Sequence, residues 1–538
     1  MRITHKSRLT TLVGAAALIA ASLSFVPANA AAVGPLCDGK VPVQTCQGTT
    51  SDGAPYVMMV PANFNGMVAL YSHGYRYNID IPAGIPVVGG YKITNTPEPV
   101  PGGNPTVANY FLSNGMAIMG SGFSRQGWNL DAAVATNVEL IDTFKKKFTT
   151  TTKVVAWGSS LGGIITQTLA EKNPKLVSAV APLCMADNID AQLAMAGDFL
   201  WGLKTFFDPT IKGGNYSPGA LGNAEALGDI VKVLTVMGKL QASVASGAWP
   251  DTSSPAGKQL AAAGIPSRSA LLLSGLMAGL PTQSAHFDSI SGPEGALKLS
   301  FPLAVSPALA VLENGANAAI LAILATQDVE LQAGGSVFDN TATDYSARVA
   351  DSRDVFNAGL SGNTALEAML GVLKASPRAK ATASLSKLAA TTGKINVPTV
   401  FMTGVADPIT PAGATQRILD KYSVQFEAEK EAAKKASYNG GTYTPAKSKV
   451  LALWSVTPKS WTKFDAAGAP ITSAAAAPGT NHCNFTTANY LTAAKFMVEG
   501  ATTGGINWNA SAMAAVRKSK GLLVDPNFRA PLLKFYGE

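Results

Sequence analysis

The stretch from Lys153 to Lys172 narrows the possible folds more than any other. Val154-Val155-Ala156-Trp157 is apolar without alternation, as a strand covered on both faces requires, and it breaks at Gly158. From Leu161 to Lys172 the residues read as a helix, small ones first. Between the two lies Gly158-Ser159-Ser160-Leu161-Gly162, a G-x-S-x-G turn joining strand to helix. Such a turn is too tight for side chains at 158 and 162, and it pushes Ser160 out above the sheet. Ser160 is therefore the candidate nucleophile.

The same rhythm recurs along the chain. MVALYSHG from Met67 and GMAIMGSGF from Gly115 read as buried strands, and Asp131 to Phe148 as a helix. After the turn come LVSAVAPLC from Leu176, VPTVFMTG from Val397 and KVLALWSV from Lys449, each a further strand. Apolar strands alternating with helices predict an α/β fold, a mostly parallel sheet with helices on both faces. Between Cys184 and Val397 the rhythm fails. Helical periodicity takes over near Ala191–Phe207, Ala220–Ser246, Ala270–Leu280 and Ala308–Gln332, which predicts a large helical cap. The expected organisation is a catalytic domain over 31–186 and 395–538, interrupted by a cap over 187–394. A shorter insertion is expected from Ser423 to Lys449.

A serine hydroxyl needs a base, usually a histidine oriented by a carboxylate. His482 lies late in the chain, in the small-residue loop Pro478-Gly479-Thr480-Asn481-His482-Cys483 after the last strand. Asp407 follows the strand VPTVFMTG directly, with Pro408 beyond it, and is the candidate acid; Asp187 is the alternative. His73-Gly74-Tyr75 ends its strand on the same sheet edge. Gly74 lets the backbone turn so that the N–H groups of Tyr75 and Leu161 face a developing oxyanion. His73 is expected to hold that turn, and His286, beside Asp288 in the cap, to be structural or superficial.

With the H-G turn, the nucleophile elbow, the post-strand Asp and the late His in this order, the chain resembles the α/β-hydrolase superfamily. The matching segments cover about 240 residues. The resemblance implies an α/β-hydrolase fold and secreted esterase- or lipase-like chemistry on Ser160, Asp407 and His482, with no cofactor. The His482-Cys483 pair is similar to half of a pattern in tannases and feruloyl esterases, in which cysteines flank both Ser and His. Here residue 159 is Ser.

The N-terminus carries Arg2, Lys6 and Arg8, an apolar run from about Leu9 to Val26, and Ala28-Asn29-Ala30. This predicts a signal peptide over 1–30, cleaved near Ala30, and a secreted or periplasmic protein with no stable membrane anchor. The formal charge of +8 falls to +5 once those three cations leave, spread thinly over the chain, which argues against nucleic acid as a partner. Four cysteines in an exported chain predict two disulfides, Cys37–Cys46 and Cys184–Cys483. With three histidines in the mature chain and no C-x-x-C, no metal site is expected.

The leading expectation is a serine hydrolase acting on a small-molecule or polymeric carboxylic ester, whether acyl, aryl, lactone or polyester. An exported aminopeptidase of the same superfamily would need cap carboxylates to grip an amine, and Asp190, Asp198, Asp208 and Asp229 are scattered. A catalytically inactive binding protein on the same fold is the third alternative.

Overall fold

The structure is a computed structural model. It describes residues 32–530 apart from 245, 252–253, 292–304, 389, 439–442, 444, 467–468, 507–509, 520 and 526. The predicted export signal lies outside the described residues.

Among the described residues, ten strands form one sheet: β1 (Val33–Cys37), β2 (Val43–Thr49), β3 (Pro55–Pro61), β4 (Met67–Ser72), β5 (Ala117–Ser121), β6 (Lys153–Ser159), β7 (Ala179–Leu183), β8 (Thr399–Gly404), β9 (Val450–Ser455) and β10 (Leu522–Leu523). Their spatial order is β1-β2-β3-β5-β4-β6-β7-β8-β9-β10. From β5 through β9 all pairings are parallel, whereas β1–β3 and β10 are antiparallel.

Burial explains why the central strands are apolar throughout. On β6, Val154 and Ala156 enter one core while Val155 and Trp157 enter the other. The first core is closed by helices α2 (Leu130–Lys147) and α3 (Leu161–Lys172), through Leu140, Phe144, Ile164 and Leu169. Helix α1 (Pro105–Ser113) helps to close the opposite one through Val107 and Phe111. Asn104 caps α1 by accepting from the Thr106 and Val107 N–H groups, with Pro105 at the first helical position.

Among the described residues, seven helices separate β7 from β8: α4 (Ile189–Phe206), α5 (Gly219–Ser243), α6 (Pro255–Ala262), α7 (Ser267–Ala278), α8 (Ser306–Ala333), α9 (Tyr345–Phe356) and α10 (Asn363–Ala375). They share an apolar core of their own that includes Phe199, Leu203, Ile230, Leu271 and Ile323. Helix α8 is long and apolar enough to cross a membrane by length and composition. Here it packs against α4, α5 and α7. Within this core the Asp198 carboxylate meets the Arg348 guanidinium and the Tyr345 hydroxyl.

Beyond β8, helix α11 (Ala412–Tyr438) corrects one expectation. The insertion expected from Ser423 does not start there, because its first half simply continues this helix. Glu427 with Lys430 and Glu431 with Lys434 form ion pairs of 2.7 Å at i,i+3 spacing on the solvated end, which suits a helix rather than a loop. Helices α12 (Thr487–Thr503) and α13 (Ala510–Lys518) complete the second face through Phe496, Met497 and Val516.

Candidate active site

Three loops at the carboxyl edge of the parallel strands meet above the sheet. The first is the turn from β6 into α3. Ser160 caps α3 with φ 60° and ψ −124°, a conformation that only a tightly determined turn holds for a residue with a side chain. The glycines on either side make it possible. A Cβ at 158 would lie 2.3 Å from the Gly162 carbonyl oxygen, and one at 162 would lie 2.0 Å from that of Ser72. The Ser160 N–H is anchored on the Leu183 carbonyl of the neighbouring strand at 2.9 Å.

The loop after β8 carries Asp407, and the loop after β9 carries His482. These loops are joined directly, since the Ala406 N–H donates to the Gly479 carbonyl at 2.8 Å. His482 Nε2 lies 2.8 Å from Ser160 Oγ, and its Nδ1 lies 3.0 Å from each carboxylate oxygen of Asp407. Asp407 is 1% exposed. It accepts from the N–H groups of Ile409, Thr410 and Cys483, at 2.9, 2.9 and 3.0 Å. Burial disfavours its charge, but His482 and the Thr410 and Cys483 N–H groups outweigh that and hold its pKa below the ordinary carboxylate value.

Asp187 has other partners. Its carboxylate meets the Arg417 guanidinium and accepts the Asn188 N–H. Both aspartates follow a strand, and pairing alone separates them. Among the other candidates, Ser159 is buried at the end of β6. His73 is 3% exposed, bonds the Gly74 carbonyl through Nδ1 at 2.7 Å, and packs on Phe123. Burial, reinforced by Arg76, pushes its pKa down to about 4, so His73 stays neutral. His286 ties the cap to the His482 loop: Nδ1 meets Glu313 at 2.6 Å and Nε2 meets the Ala474 carbonyl at 3.1 Å.

Both disulfides form, Cys37–Cys46 across the β1–β2 hairpin and Cys184–Cys483 between the end of β7 and the His482 loop. The second spans a sequence separation of 299. Among the described residues, Asp407, His482 and Cys483 are the one group of three potential metal ligands, and the sulfur of Cys483 is consumed in the disulfide.

Gly74 packs against the elbow, where a Cβ would sit 3.2 Å from that of Ser160. Above Ser160 opens a largely apolar cavity. Tyr75 and Leu161 both line it. Its walls come from Tyr75 and Trp128, from Leu193 and Phe199 of α4, from Ala318, Leu321 and Ala322 of α8, and from Ile409. No carboxylate lines it among the described residues. Neither the cap's share of this wall nor Gln192, which also lines it, is marked by any sequence motif.

The strand order, the strained serine at the end of β6, and an aspartate and a histidine after β8 and β9 define an α/β-hydrolase fold. No family model matches the chain, and no curated protein does. Among solved structures, feruloyl esterase B from Aspergillus oryzae is similar over 77% of this chain and 72% of its own, at 12% identity and a TM-score of 0.32. An esterase of Pyrococcus furiosus is similar over 28% of this chain and 56% of its own, at 12% identity and a TM-score of 0.21. An acetyl xylan esterase from Aspergillus awamori is similar over 26% of this chain and 50% of its own, at 18% identity and a TM-score of 0.19. The matched part therefore spans about half the length of the latter two proteins.

Proposed function

We propose that this chain is an exported serine hydrolase that cleaves carboxylic esters through an acyl-enzyme. One observation carries the reading: the hydroxyl of a strained serine lies 2.8 Å from an imidazole whose other nitrogen rests on a buried, ionised aspartate. In this reading Ser160 Oγ attacks the ester carbonyl while His482 Nε2 takes its proton. Asp407 keeps the imidazole in the tautomer that accepts at Nε2 and stabilises the imidazolium that forms. The backbone N–H groups of Tyr75 and Leu161 receive the oxyanion. His482 then returns the proton to the departing alcohol. A water molecule activated by the same imidazole releases the acid. Two disulfides and an apolar leader ending in Ala28-Asn29-Ala30 support export.

The cavity favours esters over aminoacyl substrates. Gripping a substrate ammonium calls for a carboxylate, and none of the cap acids lines the wall, Asp190 being exposed. Asp198 is held by Arg348, Asp229 by the Lys212 and Gly213 N–H groups, and Asp208 by Thr210. Turnover of 4-nitrophenyl esters of graded chain length, set beside aminoacyl 4-nitroanilides, tests this. The expected result is Ser160-dependent hydrolysis of the esters with little or none of the anilides. Preferential cleavage of the anilides would overturn the ester reading.

A further inference from the structure

His482 sits near the end of a connection, residues 456–486, that holds no helix or strand among its described residues. Its later part cannot fix itself by packing, because Ala474-Ala475-Ala476-Ala477 offers only methyl groups, which bury little apolar surface. The hold comes from the cap instead. Residues 284–291, between α7 and α8, grip the connection at two places. Near its start, Asp288 Oδ2 accepts the N–H groups of Trp461 and Thr462 at 3.0 and 3.1 Å and the Ser460 hydroxyl at 3.0 Å. The Asp288 N–H donates to Thr462 Oγ1 at 2.8 Å, and the Trp461 indole N–H to the Ser284 carbonyl at 3.2 Å. Closer to the histidine, the Ala477 N–H donates to the Ala285 carbonyl at 3.0 Å. His286 Nε2 lies 3.1 Å from the Ala474 carbonyl, which can only accept, so the imidazole donates there.

The cap side of this grip is itself held. Glu313 of α8 accepts from the Ser284 hydroxyl at 2.6 Å and the His286 N–H at 3.2 Å, and meets His286 Nδ1 at 2.6 Å. Asp288 is fully buried, and its Oδ1 accepts the N–H groups of Ile290 and Ser291 within the cap. Burial disfavours its charge, but the Ser291 hydroxyl and the N–H groups of Ser291, Thr462 and Trp461 outweigh that and hold its pKa well below the ordinary carboxylate value. It therefore stays an acceptor. From the far grip the path to the base is short. The Ala477 carbonyl accepts the Thr480 N–H at 3.3 Å, the Gly479 carbonyl is bonded to the Asp407 loop, and His482 follows two residues after Thr480. We propose that the cap mounts the catalytic base, with His286 and Asp288 as positioning residues that hold His482 in register with Ser160 and Asp407. On this account the cap is part of the catalytic constellation as well as a wall of the cavity. The inference rests on the reading of His482 as the base of a serine hydrolase.

The test uses 4-nitrophenyl acetate, whose small acyl group makes little use of the cap wall, together with the rate of fluorophosphonate labelling. His286→Leu removes both ring bonds, whereas His286→Gln keeps an N–H that can reach the Ala474 carbonyl. Asp288→Asn turns an amide NH2 against N–H donors. In folded His286→Leu and Asp288→Asn, kcat and the labelling rate should each fall by about tenfold, a fraction of the hundredfold that a shift of about 1 Å in a reacting group costs. KM should stay within about twofold of the parent. His286→Gln should recover most of the loss, which a merely structural role of the imidazole would not produce. Should His286→Leu or Asp288→Asn fail to fold, the other decides. Parent-like kcat and labelling in the folded variants would overturn this inference alone. So would a loss confined to KM, or His286→Gln as impaired as His286→Leu. If the parent shows no Ser160-dependent turnover or labelling, the serine-hydrolase reading fails first and this inference falls with it.

Discussion

Replacing Cys184 and Cys483 together with alanine cuts the covalent tie between the end of β7 and the loop that carries His482. The bond closes a loop with a sequence separation of 299, for which the chain-entropy relation gives about 5.7 kcal/mol. Disulfides deliver about 0–5 kcal/mol in practice, so a loss of about 3–5 kcal/mol is expected. The local effect matters more. Asn481 and Cys483, on either side of His482, have φ of 60° and 52°, a region that residues with side chains avoid unless their surroundings hold them. Other bonds still hold the loop, from Cys483 N–H to Asp407 and from Ala406 N–H to Gly479. The loop should therefore loosen rather than detach. A shift of about 1 Å in a reacting group costs about a hundredfold in rate, so kcat should fall by about tenfold to a hundredfold. The assay pairs urea unfolding with ester turnover and the rate of fluorophosphonate labelling, all at a temperature where the variant is folded. Full kcat and an undiminished labelling rate would refute a positioning role for the disulfide, whatever its effect on stability.

Asp407→Asn should lower kcat by about a thousandfold to ten-thousandfold, because an amide no longer enforces the imidazole tautomer that accepts from Ser160. A loss below tenfold in steady-state turnover would contradict that role. His73 makes stability depend on pH. Its folded pKa of about 4 lies below the ordinary imidazole value of about 6.5, so the unfolded chain binds more protons between the two. The stability it contributes is present above about pH 6.5 and is lost as pH falls to about 4, roughly 3 kcal/mol in all. Urea midpoints across this range should fall less steeply for His73→Asn than for the parent, and equal slopes would refute the assignment. Gly162→Ala should cost about 1–3 kcal/mol and most of the activity, since the new methyl would sit 2.0 Å from the Ser72 carbonyl oxygen. Calorimetry that finds the variant as stable as the parent would contradict the packing argument.

The parallel strands and the elbow were legible because both faces of strands such as β6 are buried, which leaves an unbroken apolar run in the sequence. The N-terminal strands β1–β3 were not. In β2, for example, the partly exposed Gln44 and Thr45 and the exposed Gln47 dilute any pattern. Helix α9 was missed for a related reason: only Tyr345, Arg348 and Val349 are buried along it, and it reads as polar chain. Order along the chain singled out Ser160 and His482 as candidates. It put Asp407 ahead of Asp187 without excluding the latter, since both follow strands, and what distinguishes them in the structure is the Arg417 guanidinium reaching Asp187 from α11. The cavity wall was the least legible part. Tyr75, Trp128 and Gln192 lie in three segments, and they share a wall only once the chain is folded.

The central claim is that Ser160 is a nucleophile activated by His482, and covalent labelling measures it most directly. The purified protein, treated with a fluorophosphonate and digested, should carry one adduct, on the peptide containing Ser160. Ser160→Ala should abolish the adduct together with ester turnover while leaving the unfolding transition in place, and Ser159→Ala should retain both. An adduct on another residue, or turnover that survives Ser160→Ala, would contradict the account.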